Sequence, residues 1–334
     1  MKIAPSHLDA LKSFGYTEEE SRFLYLVATH SGYFTARQFL TFADTHWGKR
    51  TNNLWHKLET QKHARVERFP LSGSVYHLFS RTLYRQLDRE NIRNRRPHEI
   101  TFIKRRLAIL DFVMAHDHCE FLETEPDKLK YFCGSLGINE HSLPSKLYVG
   151  SAGSHPTVRH FVDKFPILLT TGVSSPVVIF TYVPEDELSL ADFVRHLHEY
   201  SPLFRELADF QFIYMGRSVV GFDKAQELFD SLVRIPLESN VSDDLLRYFR
   251  VRLAWEEKQY STLTDADLVF RNQAKSRFRG GRFEAIYRRW KKGAIQDERI
   301  RAEFPGNGRT HTVKFRTYQL KPARATDDES GVEG

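Results

Sequence analysis

Two helix-start signals of the same design set the frame for the N-terminal part of this chain. Thr17 is followed three residues on by Glu20, and Thr35 three residues on by Gln38. In each pair the threonine hydroxyl accepts from the third helical amide. The Glu or Gln side chain reaches back to the threonine N–H, so two otherwise orphaned donors are satisfied together. The spacing predicts a first helix over Glu18 to Thr29, which buries Phe23, Leu24, Leu26 and Val27 and stops at Ser31-Gly32. A second runs over Ala36 to Ala43 with Phe39 and Leu40 inward, and Asp44 to Gly48 turns the chain into a third, Lys49 to Gln61.

The third helix has two chemically different faces. Thr51, Leu54, Trp55 and Leu58 recur at helical spacing and form the inward one. Lys49, Asn53, His56 and Thr60 project from the other side, Asn52 lies beside them, and Arg50 and Lys57 flank them. The helix's sole carboxylate, Glu59, falls near the border. Downstream, Arg65-Val66-Glu67-Arg68-Phe69 and Val75-Tyr76-His77-Leu78-Phe79 alternate about a turn from Pro70 to Ser74, the pattern of a hairpin. Three short helices followed at once by a hairpin read as a winged helix-turn-helix, with Arg65 and Arg68 on the wing. A face of Lys, Arg, Asn and His suits the major groove of duplex DNA, where Arg or Lys pairs with guanine and Asn with adenine. Trihelical units also serve as dimerisation modules or protein scaffolds, so protein binding is the competing reading of this surface.

A chain of 334 residues, 41% hydrophobic and 28% charged, has ordinary soluble composition and room for more than one core. The formal net charge of +6 permits a polyanionic partner. Cys119 and Cys133 lack metal-ligand spacing and read as buried free thiols of a reducing cytosol. The opening Met1-Lys2-Ile3-Ala4-Pro5 is no apolar signal run, and no stretch reaches spanning length. A cytoplasmic location with no membrane partner is the expectation.

Ahead of Thr17, Leu8, Leu11 and Phe14 mark a short amphipathic helix packed on the trihelical unit; pairing of two protomers is a second role open to it. After the hairpin, Arg81, Arg85 and Arg89 share one face of a helix at four-residue spacing, which could lie along a phosphate backbone or form a solvated connector. A long helix follows over Glu99 to Ala115, striped by Ile103, Leu107, Leu110 and Met114. His116, His118, Cys119 and Glu120 are all ligand types, but too crowded for the usual zinc spacing. Pro126 to Gly137 reads as a helix and its stop. The Gly- and Ser-rich loop from Gly150 to Pro156 lacks the lysine of a phosphate-binding loop.

Residues 161–169 read as an interrupted strand, Gly172 to Pro176 as a turn, Val177 to Val183 as a buried strand and Pro184 to Glu187 as an acidic loop. Leu190 to Leu207 reads as a helix broken at Ser201-Pro202, Phe210 to Met215 as a strand and Phe222 to Val233 as a helix. Strand, strand, helix, strand, helix is the order of an α/β layer.

Taken together, Gly15-Tyr16-Thr17-Glu18 through Phe79, the strands around Val162-Asp163 and Val177 to Val183, the helix with Leu197 and Tyr200 and the strand Phe210 to Met215 resemble the replication-relaxation family of plasmids and other mobile elements. The resemblance covers roughly two thirds of the chain. It implies a winged helix ahead of a domain related to PD-(D/E)XK nucleases, and a role in replication, transfer or transcriptional control of a mobile element. Asp163 would stand for the first acid of the nuclease pattern. The second strand, Ile179-Phe180-Thr181-Tyr182-Val183, carries neither the acid nor the lysine that should follow. Phosphodiester hydrolysis needs clustered carboxylates to hold Mg²⁺, and Glu185 or Asp186 is the nearest substitute.

Ser242 is expected to cap a helix bearing Leu245, Leu246, Phe249 and Leu253. Helices over Asp265 to Phe278 and Arg282 to Ala302 follow, separated by Arg279-Gly280-Gly281. From Arg271 to Arg324 there are 16 Lys or Arg against four acids, interleaved with Phe278, Phe283, Tyr287, Trp290, Phe304, Phe315 and Tyr318. That composition suits nucleic acid, and a basic helical surface with a flexible tail gives it as well. Residues past about Lys321 read as disordered.

The sequence therefore predicts an α+β or α/β multidomain protein. Its parts are a winged helix-turn-helix over 1–80, a basic connector and long helix over 81–117, an α/β degenerate nuclease-like domain over 118–236, a basic helical region over 237–304 and a basic then acidic flexible tail over 305–334. The expected function is sequence-specific binding of double-stranded DNA without catalysis, metal or cofactor, by a monomer or homodimer. The expected contacts are Lys49, Arg50, Asn52, Asn53, His56, Lys57, Arg65, Arg68, Arg81, Arg85, Arg288, Arg289, Lys291 and Lys292. A divergent metal-dependent nuclease targeted by its winged unit and a protein-interaction scaffold are the rival expectations.

Overall fold

The computed structural model describes residues 3–69, 73–149, 155–170, 176–185, 189–234, 237, 241–278, 280–304 and 311–320. The turn tip after Phe69, most of the Gly- and Ser-rich loop, the turn from Gly172, Asp186, Arg279 and the chain beyond Leu320 lie outside the described residues. The chain is a mixed α+β protein of two compact units, Met1–Leu228 with Lys314–Gly334, and Phe229–Val313. The segments 1–80 and 81–117, and 118–228 of the expected α/β domain, all belong to the first unit.

The first unit opens with α1 (Pro5–Lys12) and α2 (Glu18–Leu26), the latter prolonged by a π-helical turn, Val27–Ser31. Strand β1 (Tyr33–Thr35), α3 (Ala36–Phe42), α4 (Lys49–Thr60) and the antiparallel strands β2 (Ala64–Phe69) and β3 (Gly73–Leu78) follow. Both capping boxes form: Thr17 Oγ1 accepts from the Glu20 amide and Thr35 Oγ1 from the Gln38 amide, with both acceptor side chains returning to the threonine N–H. The sheet order is β1-β3-β2, with Phe34 opposite Tyr76 and Val66 opposite Tyr76 on the other side. Phe23 packs edge-on against Phe34 and Phe39, so one ring joins α2 to β1 and α3.

The chain turns into this sheet at Gly32, whose φ is 83° and whose Cβ position would fall 2.3 Å from the Asn94 carbonyl oxygen. Only glycine fits there. Helix α5 (Arg81–Gln86) is short and stops before Asp88, whose φ is 56°. This corrects the expected three-arginine face. Arg81 and Arg85 remain on the helix, whereas Arg89 lies beyond it and turns inward to a carboxylate.

Helix α6 (Ile100–Ala115) joins the trihelical part to a second sheet. Gln38 Nε2 donates to the Leu107 carbonyl (2.9 Å) and to Asp111 Oδ1 (2.8 Å). Arg106, 3% exposed, donates to Asn94 Oδ1, the Ser31 carbonyl and the Lys164 carbonyl. After β4 (Glu120–Phe121), α7 (Glu125–Leu129) and the hairpin β5 (Ser145–Tyr148) and β6 (Thr157–His160) come β7 (Ile167–Leu169), β8 (Val178–Tyr182), α8 (Ala191–Glu206), β9 (Asp209–Gly216) and α9 (Phe222–Phe229). Strands β8 and β9 are parallel with α8 between them in the chain, and β7 and β4 add antiparallel neighbours.

Two further expectations are corrected in this layer. Residues 161–166 are a turn rather than a strand, with Phe161 and Lys164 at φ 51° and 55°. Helix α8 runs unbroken through Pro202. Proline leaves one helical carbonyl without its donor, but Leu203 and Phe204 continue the buried face of Phe193, Leu197 and Tyr200. Phe204 stacks on Phe210 at 4.7 Å, so packing onto the sheet outweighs the lost bond.

The second unit holds α10 (Val241–Glu256), α11 (Asp265–Arg277), α12 (Gly281–Lys291) and α13 (Asp297–Glu303). Ser242 lies inside the first turn of α10 rather than at its cap. The single helix expected over Arg282 to Ala302 is two, because Gly293 takes φ 71° after α12. The flexible tail expected from residue 305 is corrected over 312–319, most of which belongs to the first unit. Thr312–Gln319 forms β10, the edge of the five-stranded sheet β10-β9-β8-β7-β4. Phe315 stacks on Phe212 and Tyr318 packs edge-on to Phe112, which anchors the strand.

Candidate nucleic-acid interface

Helix α4 is fixed from its inner side. Thr51 Oγ1 donates to the Gly48 carbonyl (2.7 Å) and accepts from the Gly48 amide (3.0 Å), closing the first turn. Leu54 and Leu58 are buried. Trp55 stacks on Tyr76 with ring centroids 4.3 Å apart, and Tyr76 stacks on Phe34 at 5.2 Å. A column of three rings therefore ties the helix to β3 and β1. At its end Gln61 donates to the Phe14 carbonyl.

The outer face presents Lys49, Asn52, Asn53 and His56, all exposed and without a side-chain partner among the described residues. Arg50 is exposed but held by Glu19 at 2.5 Å. Lys57 departs from the expectation. Its ammonium is drawn in to Glu20 (2.7 Å), a carboxylate 6% exposed that also accepts from the Thr17 amide. The same glutamate that caps α2 thus also holds Lys57, whose own side chain is half-buried. Sequence reasoning missed Trp47, 57% exposed in the turn just ahead of α4. An isolated tryptophan among polar turn residues was the signal available.

On the hairpin, Arg65 is paired with Glu67 (2.8 Å), while Arg68 is exposed and unpaired among the described residues. His77, behind Glu67, is pulled down to about 4 by burial and stays neutral. Arg81 and Arg85 both face Glu90, at 3.7 and 3.1 Å. Arg89 contacts Glu123, the Tyr25 hydroxyl and Thr29 Oγ1, so it joins α2 to the strand region and is no surface cation.

In the second unit, Arg288 faces Glu284 (3.3 Å) and Lys291 faces Glu256 (2.7 Å), leaving Arg289 and Lys292 exposed and unpaired among the described residues. The aromatics that suggested base stacking are structural. Phe278 and Tyr287 are buried, and Phe283, Trp290 and Phe304 pack against the same core. Glu256, gathering Arg252, Lys291 and the Tyr287 hydroxyl, is held down to about 2 against the cost of its burial.

Asp163 accepts from His196 Nδ1 (3.0 Å) and the Tyr200 hydroxyl (3.1 Å). Burial works against its charge, but these bonds keep its carboxyl below the usual range. Glu185 is engaged elsewhere, by Arg105 and Thr101. Among the described residues no group of three or more His, Cys, Asp and Glu side chains could hold a metal ion, the His116 to Glu120 cluster included. Both cysteines are free thiols, and no described helix is long and apolar enough to cross a membrane.

No protein-family model matches the chain, and no curated protein or solved structure matches it either.

Proposed function

We infer that the protein binds double-stranded DNA sequence-specifically, with residues 15–79 acting as a winged helix-turn-helix and α4 as its reading helix. The observation that carries this reading is the division of α4. One side is clamped by Trp55, Leu54 and Leu58, and the other offers Lys49, Asn52, Asn53 and His56 unpaired to solvent. Rigid presentation of amide and cationic side chains is what base-edge recognition needs. Arg68 and Arg81 extend the basic surface as phosphate contacts, and Arg50 can exchange its exposed pair with Glu19 for a DNA contact, because such pairs contribute little. Membership of the replication-relaxation family, with a regulatory or replicative role on a mobile element, is part of the same proposal and rests on the resemblance alone.

The sheet unit is proposed to be a platform without nuclease chemistry. Strand β8 carries neither acid nor lysine, and Asp163 spends its oxygens on His196 and Tyr200. The deciding experiment is selection of bound duplexes from a random pool by the purified full chain, followed by sequencing. A recurrent site is expected. Retention of no duplex at low salt would favour a protein-binding scaffold. Cleavage with Mg²⁺ or Mn²⁺ that vanishes in Asp163→Ala would favour the nuclease.

A further inference from the structure

A cavity of about 930 Å³ lies in the first unit, and none of its lining residues belongs to α4. Its walls come from the end of α2, the segment after α5, α6, α7, β6 and the turn before β7.

The charges around it do not cancel. Its carboxylates are already engaged. Glu123 holds Arg89, Glu125 accepts from Arg159 Nε (2.8 Å) and the His160 amide (2.7 Å), Glu90 faces Arg85, and Asp88 lies 3.6 Å from His7. Arg93, Arg106, Lys128 and Lys164 also line the cavity, and none of them has a carboxylate within ion-pair distance among the described residues. Arg106 donates only to carbonyl and amide oxygens, and Lys128, 5% exposed, lies 5.3 Å over the Phe161 ring. Asp163, next to Lys164 in the chain, is not among the lining residues; it is hydrogen-bonded by His196 and Tyr200 and offsets part of the charge of Lys128 and Arg106 from beyond ion-pair distance.

Arg106 and Lys128 are buried, Lys164 is half-buried and Arg93 is exposed; burying a cation without an ion-pair partner is costly, and an anion in the cavity would offset that cost. Burial, reinforced by the neighbouring cations, pulls Lys164 down to about 7; burial pulls Lys128 down to about 8 against the opposing pull of Asp163, Glu125 and Asp127. The turn carrying Lys164 is strained as well. Phe161 and Lys164 both adopt left-handed backbone, which side-chain-bearing residues seldom do. Phe121, Leu129 and Phe165 add apolar surface to the lining.

We propose that this cavity binds a small phosphorylated ligand of nucleotide size, its phosphates between Arg93, Arg106, Lys128 and Lys164 and its ring against Phe121, Leu129 and Phe165. The volume falls in the roughly 300–1,000 Å³ range of small-molecule sites, and several unpaired cations match a di- or triphosphate better than a single negative charge. The proposal is independent of DNA reading by α4.

The test uses the full chain with inorganic pyrophosphate and with ATP, followed by calorimetric titration and thermal melting, alongside Lys128→Met and Lys164→Met. Both probes are expected to bind saturably at one site and to raise the melting temperature. Each variant should keep or raise the ligand-free melting temperature, since at both amines the cost of burial outweighs the nearby carboxylates, and should lose about tenfold or more in affinity. Asn53→Ala should bind both probes as the native chain does. Failure of both probes to bind, or native affinity in both methionine variants, would overturn the site. So would a fall in ligand-free stability in both variants, because the cations would then be structural. A single-stranded oligonucleotide that saturates the cavity more tightly than ATP would overturn it in favour of a nucleic-acid channel.

Discussion

Gly32 and Lys164 show how much single residues hold in place. A methyl at Gly32 would meet the Asn94 carbonyl at 2.3 Å and force left-handed backbone on a residue with a side chain. Asn94 cannot yield freely, because its amide donates to the Ala28 and Thr29 carbonyls and accepts from Arg106. Gly32→Ala is expected to destabilise the protein by about 2–4 kcal/mol, read by urea unfolding. Lys164 makes a prediction in pH. Its folded pKa is about 7, against 10.5 for the ordinary side chain. Between those values the unfolded chain holds a proton that the folded chain does not, so stability rises as pH rises through the window, and the burial penalty is complete below it. Lys128, at about 8, contributes with the same sign. Arg106, Arg93, Lys128 and Arg159 are the charged groups acting on Lys164, and all disfavour its charge. The melting temperature of the ligand-free protein should climb from about pH 7 to about pH 9, and Lys164→Met should flatten that climb. A flat profile in the native chain would contradict the depressed lysines.

At the scale of elements, most of the N-terminal part was legible because its signals are local. Two capping boxes, a striped helix and an alternating hairpin each need only a few neighbouring residues to be read. What the sequence hid was the destination of individual charges. Lys57 sits at the flank of α4 by helical spacing, yet it turns to Glu20, a partner 37 positions away in the chain. Arg89 was placed on a basic helix face, but α5 ends early and Glu123 captures it. Spacing along one helix cannot report a carboxylate supplied by another element. The two flanking roles can be separated by substitution. Asn53→Ala should leave unfolding unchanged and cost about 1–3 kcal/mol of specific DNA affinity. Lys57→Met strands a buried carboxylate and should cost about 1–3 kcal/mol of stability, with the preferred DNA site unchanged. Loss of stability in the first and of site preference in the second would reverse the assignment. Pro202 is the same lesson for backbone. The local rule breaks the helix, and contacts with Phe210 and Phe180 override it.

For the whole molecule, composition misled where pattern would have served. Val313-Lys314-Phe315-Arg316-Thr317 alternates β-branched or aromatic residues with basic ones, a strand signature overshadowed by the surrounding basic residues. Phe283, Tyr287 and Trp290 recur at helical spacing on α12, and with Phe278 and Phe304 they build the core of the second unit. Only Arg289 and Lys292 of the four basic residues expected there are unpaired among the described residues. If that unit touches phosphates, replacing both by Glu should make the slope of log affinity against log salt shallower by about 1.8, at about 0.9 per contact, with no change of preferred site. An unchanged slope would make this run a solvated face. The central claim, that α4 reads duplex DNA, is tested most directly by fluorescence anisotropy of the full chain on its selected duplex. Native protein is compared with the combined variant Asn52→Ala, Asn53→Ala, His56→Ala. The variant is expected to melt as the native protein does and to bind the selected duplex no better than a scrambled one. Retention of the native preference by a folded variant would contradict that claim.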